Sequence, residues 1–106
     1  MKANPLDGLP KVLRIGNIKY EILVVRPSEN YGRQYGSGWI EVGEDHETGV
    51  RAVETVIHEV THAIYDAYVI RPEDDEERTV TTLAKGWAQV YYDNPALLRW
   101  MSKVIK

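Results

Sequence analysis

Val53-Glu54-Thr55-Val56-Ile57-His58-Glu59-Val60-Thr61-His62-Ala63-Ile64-Tyr65-Asp66-Ala67 is the stretch that decides the fold. Val53, Ile57, Val60, Ile64 and Ala67 recur at intervals of four and three, the spacing of one face of an α-helix. The pattern extends from about Glu47 to Val69 and predicts a single long helix that buries this stripe. At roughly 100° per residue, His58 and His62 fall on the side away from it. The helix is therefore expected to bury one face and present two imidazoles to an opening on the other.

On the C-terminal side, Glu73 to Asp93 reads as a second helix, with Val80, Leu83, Ala84, Trp87, Val90 and Tyr91 on one face. Acidic residues fill its first turn, where the macrodipole favours them. Asn94-Pro95 stops that helix and starts a third, because Asn is a good N-cap and Pro suits the first helical position. This last helix, Ala96 to about Ile105, is expected to bury Leu97, Met101 and Val104, with Trp87 and Trp100 as core or helix-packing residues. On the N-terminal side, Val12, Leu13 and Ile15 precede Gly16-Asn17, and Ile18, Tyr20, Ile22 and Val24 alternate after it, the signature of a β-hairpin. Leu23 and Val25 break the alternation and suggest a strand covered on both faces. Arg26 to Gly38 is a Gly- and Tyr-containing loop, and Trp39 to Val42 is a short strand ended by Gly43. Residues 1–10, with Pro5, Gly8 and Pro10, read as a loose leader. The expected architecture is one α+β domain over 1–106, a small β-meander of three strands followed by three helices.

Composition narrows the possible functions. The chain has 106 residues, 13 Lys+Arg against 16 Asp+Glu, and a net charge of −3. No basic block offers a footprint for nucleic acid or an anionic membrane, so neither is expected as a partner. The absence of Cys removes disulfides, thiolate ligands and thiol nucleophiles together, leaving His, Asp and Glu to hold any metal. Met1 to Lys11 has no apolar segment of the signal-peptide kind, and a cytoplasmic location is expected.

His58-Glu59-Val60-Thr61-His62 has the HExxH spacing of zinc peptidases. Two histidines one turn apart project from the same side, so both can reach one Zn²⁺. The glutamate beside the first is placed to take a proton from a water that the metal activates. A catalytic site needs a third protein ligand as well. His46 lies in the polar Glu44-Asp45-His46-Glu47 stretch, where a solvated histidine is the simpler reading. The extended HExxHxxGxxH pattern fails, because Tyr65 and Tyr68 stand where it needs Gly and His. Asp66 continues the 58, 62 row but sits another turn away, roughly 6 Å beyond His62. The acidic run Glu73-Asp74-Asp75-Glu76-Glu77 would return beside the histidines on an antiparallel second helix. Both Glu76 and Glu77 border its apolar stripe, and phase alone does not choose between them.

His58 to His62 followed by Glu77-Arg78-Thr79-Val80-Thr81-Thr82-Leu83-Ala84 resembles the ImmA/IrrE-type and minigluzincin-like metallopeptidases common in phages and prophages. The likeness covers roughly residues 39–98. Its HExxH part is specific and its second-helix part, in the register E-x-x-A-x-x-F/L-A, less so. Val80 stands where that family usually has Ala. The resemblance implies a minimal zincin (gluzincin-like) fold and Zn²⁺ held by His58, His62 and Glu77. It also implies Glu59 as general base and a peptide or protein substrate. In such folds the substrate adds as a strand to the sheet edge above the active helix, for which Trp39 to Val42 is the candidate. No oxyanion-stabilising group stands out among Tyr31, Tyr35, Tyr65, Tyr91 and His46. The alternative reading is a metal-containing protein-binding module with little or no turnover, and a hydrolase of some other amide is weaker still. The intact Glu59 speaks for catalysis, since a purely structural site needs no base.

Overall fold

A computed structural model describes residues 4–25 and 38–105. Strands β1 (Val12–Ile15), β2 (Ile18–Val25) and β3 (Trp39–Gly43) precede helices α1 (Gly49–Ala67), α2 (Glu76–Asp93) and α3 (Pro95–Val104). The α+β layout of three strands and then three helices is as the sequence predicts. β1 and β2 form the expected antiparallel hairpin, turning through Gly16, whose φ of 62° is one that glycine adopts without strain. The sheet, in order β1-β2-β3, is not a meander, because β3 runs parallel to β2. Alternation along a strand sets which face is buried and carries no information on direction, so the reading from sequence missed the crossover. The crossover segment, 26–37, with Tyr31 and Tyr35, lies outside the described residues.

Register puts one side of the sheet in the core. Leu13 stands opposite Tyr20, Ile22 opposite Ile40 and Val24 opposite Val42. Of these, Leu13, Tyr20, Ile40 and Val42 are buried together with Ile15, Ala52, Val56, Val60, Ala63 and Ile64. Leu23, on the other side of the sheet, is 41% exposed, so the expectation of a strand covered on both faces is not met there.

α1 begins at Thr48, whose Oγ1 accepts the Arg51 backbone N–H at 3.1 Å. Its buried face is rotated from the predicted stripe. Ala52, Val56 and Ala63 enter the core with Val53, Val60 and Ile64, while Ile57 is exposed. The alanines explain the shift, since small side chains let the helix lie close to the sheet where a stripe of large residues alone would hold it off. The same correction applies to α2, where Val80 and Ala84 are exposed and Gly86 is buried with Val90. A Cβ on Gly86 would come within 2.5 Å of Ile64 Cγ2, so the glycine is what allows α2 to approach α1. In α3, Leu97, Trp100 and Met101 are buried. The leader is packed over its described part: Leu6 is in the core and Trp100 Nε1 donates to Pro5 O at 2.9 Å. No described helix is long and apolar enough to cross a membrane.

The outer edge of β1 is held by two amide side chains from the end of α2. Asn94 Oδ1 accepts Arg14 N–H at 2.8 Å, and Nδ2 donates to Arg14 O at 2.8 Å and to Val90 O at 2.7 Å. Gln89 Oε1 accepts Gly16 N–H at 2.7 Å, and Nε2 donates to Arg14 O at 2.9 Å. Asn94 occupies the N-cap position of α3, as predicted, but makes no side-chain cap hydrogen bond there. Its amide is engaged by β1, and Pro95 at the helix start has no N–H that would need an acceptor.

Candidate metal centre

α1 sits on the face of the sheet that carries Ile40 and Val42, and this packing decides which of its residues meet solvent. His58 and His62 are exposed, one turn apart, with ring centroids 4.8 Å from each other and planes at 73°. Glu59 lies beside them at 7% exposure and is, with Asn94, one of two buried polar residues among those described. Between the histidines, Thr61 Oγ1 donates to Ile57 O at 2.7 Å, so its hydroxyl is used within the helix.

Asp66, the next residue in the histidine row, is exposed. Its charge adds to burial in raising the pKa of the Tyr20 hydroxyl, which is itself buried with no hydrogen-bond partner. His46 Nε2 lies 2.7 Å from Gly43 O at the end of β3, so this nitrogen is engaged by local backbone. The Tyr91 hydroxyl is directed at Met101 Sδ, 3.9 Å away, and burial raises its pKa. Tyr65 is 39% exposed.

Most of the acidic run has local work at the start of α2. Asp75 caps the helix, Oδ1 accepting Arg78 N–H at 2.8 Å. Asp74 Oδ2 accepts Arg71 N–H at 3.0 Å and Oδ1 pairs with Arg78 Nε at 3.2 Å. The Arg71 amide foremost, with the two arginine charges, holds the Asp74 carboxyl below its ordinary pKa. Glu77 is exposed, and its Oε2 accepts from Thr81 Oγ1 at 3.1 Å. Among the described residues no three His, Asp or Glu side chains form a group able to hold a metal ion, so Glu77 is not gathered with His58 and His62. His58 and His62 are donors of a type that zinc takes, and among the described residues no third such side chain is grouped with them.

Two polar groups on the sheet escaped the reading from sequence. Trp39 Nε1 and Glu41 Oε1 on β3 are buried atoms with no hydrogen-bond partner. A glutamate alternating with Ile40 and Val42 looks like an ordinary solvent-facing strand residue, so no sequence signal distinguishes it. No family model, curated protein or solved structure matches the chain.

Proposed function

We propose that the chain is a zinc-dependent metallopeptidase with a minimal zincin (gluzincin-like) arrangement, acting on a peptide or protein substrate in the cytoplasm. The observation that supports this most is the pair of exposed imidazoles, ring centroids 4.8 Å apart on one turn of α1, with the buried Glu59 beside them. His58 and His62 would hold the zinc, with Glu77 as third ligand by the family resemblance. When bound, zinc supplies Lewis acidity toward the scissile carbonyl and the attacking water. Glu59 then takes the proton of that water as general base and passes it to the departing amine. β3 lies at the edge of the sheet, with no described strand on its outer side, and would receive the substrate as an added strand.

The test is hydrolysis of a broad peptide library by the zinc-incubated protein and by Glu59→Gln. The parent should cleave, and the variant should retain fold and zinc while losing roughly 10²-fold or more in rate. Equal turnover by the two would refute Glu59 as base. A parent that binds zinc and peptides without cleaving any would leave the binding-module reading.

A further inference from the structure

β3 has two faces, and the proposal above uses only its free edge. Ile40 and Val42 point into the core toward α1, so Trp39 and Glu41 point to the opposite side of the sheet. On that side Trp39 stands opposite Glu21 of β2, and Glu41 opposite Leu23. Glu41 Oε1 is removed from water with no donor, and Trp39 Nε1 is removed from water with no acceptor. Orphaned polar atoms of this kind cost free energy in the isolated chain, and a ligand that completes them recovers it. Both residues are only half-buried as a whole, and a half-turn of the carboxylate exchanges its two oxygens. An incoming group can therefore reach the charge without the strand having to move.

We infer that this face of β3 selects a basic side chain, Lys or Arg, in the peptide that adds to its edge, with Glu41 as the charge partner and the Trp39 ring as the wall it lies against. The inference rests on the strand-addition reading above and names its substrate class. Side chains of an added strand alternate between the two faces, so every second residue falls on the Trp39 and Glu41 side. On that side the charges nearest β3 are acidic, Glu41 itself and Glu21 paired with Trp39, while the cations Lys19 and Arg14 share the face further along β2 and β1. An ammonium or guanidinium meets an unsatisfied carboxylate, a π-face and no described cation on β3 or its directly paired positions. A neutral side chain of the same length would gain only the contact with the ring.

The experiment measures binding apart from cleavage. Two fluorescein-labelled extended peptides, identical except for arginine against its uncharged isostere citrulline, are titrated by fluorescence polarisation onto zinc-loaded Glu59→Gln protein. They are titrated in parallel onto Glu59→Gln carrying Glu41→Gln, an isosteric change whose fold is verified by thermal melting. The arginine peptide should bind roughly tenfold or more tightly than the citrulline peptide, and Glu41→Gln should erase that preference. Trp39→Phe, which removes the N–H and part of the ring, should weaken binding of both peptides and narrow the ratio. Equal affinity for the two peptides, or a preference that survives Glu41→Gln, overturns the inference. Cleavage by the parent without any basic preference also overturns it and leaves the peptidase standing. Selective binding with no cleavage by the parent removes the peptidase and leaves the basic-peptide site.

Discussion

The two edges of the sheet are treated in opposite ways. At β1, the backbone groups of Arg14 and Gly16 that face outward are taken up by Gln89 and Asn94, so α2 closes that edge with side-chain amides. At β3, no described strand lies on the outer edge, His46 Nε2 sits 2.7 Å from Gly43 O at the strand's end, and Trp39 Nε1 and Glu41 Oε1, on the face away from the core, have no hydrogen-bond partner. An open strand edge is a liability that proteins usually cover. One edge is sealed by a buried asparagine, and the strand at the other carries orphaned polar atoms. The β1 side holds the end of α2 to the sheet, and the β3 side is where the proposed peptide would add.

The largest effect should come from completing the ligand set on the open side. Alanine at Asp66, Glu73, Glu76 and Glu77, one at a time, with zinc affinity measured against a competing chelator, should single out one carboxylate whose loss weakens binding by several kcal/mol, or about 10²-fold or more. The family register names Glu77. Glu76 is the stronger rival, because it shares helical phase with the half-buried Thr79 and Leu83. Release of zinc by Glu76→Ala and not by Glu77→Ala would reassign the ligand and leave the histidine pair in place.

On the closed side, Asn94→Ala removes three hydrogen bonds at a buried position and strands Arg14 N–H, while Arg14 O keeps the Gln89 amide, for an expected loss of about 2 kcal/mol in denaturant unfolding. Gln89→Ala should cost less, because its site is more open. Zinc affinity should change little in either variant once it is folded. A mutant with native stability and an open β1 edge would show that the clasp is incidental and would remove the contrast between the edges.

Tyr20 gives the smallest effect and lies between the two edges. Its hydroxyl is buried without a partner, and burial and the Asp66 charge raise its pKa above the ordinary value of about 10. The folded chain therefore keeps this proton above pH 10, where the unfolded chain has released it, and the stability tied to it falls as pH rises past 10. Tyr20→Phe should be neutral to about 1 kcal/mol stabilising at pH 7 and should flatten the alkaline loss. A clear destabilisation would mean that the hydroxyl has a partner that the contrast between the edges does not include.

Much of this was legible in the sequence, and the misses share a physical origin. The helices, the hairpin and the His58, Glu59, His62 constellation follow from periodicities of 3.6 and 2 and from side-chain projection. The parallel entry of β3 does not, because strand direction is set by a crossover and not by local pattern. The rotation of α1 onto Ala52, Val56 and Ala63, and the seating of α2 on Gly86, depend on how closely two elements can approach. That is a property of pairs of surfaces and not of one stripe. Asn94 shows the same limit in a single residue, since its cap position was readable while the partner of its amide, Arg14, lies 80 residues away in the chain.

Elemental analysis of purified protein, incubated with zinc and desalted, tests the central claim most directly, alongside His58→Ala and His62→Ala. The account predicts close to one zinc per chain for the parent and a near-complete loss in each histidine variant with the fold intact. A parent that retains less than about a tenth of an equivalent, or histidine variants that retain as much as the parent, would contradict it.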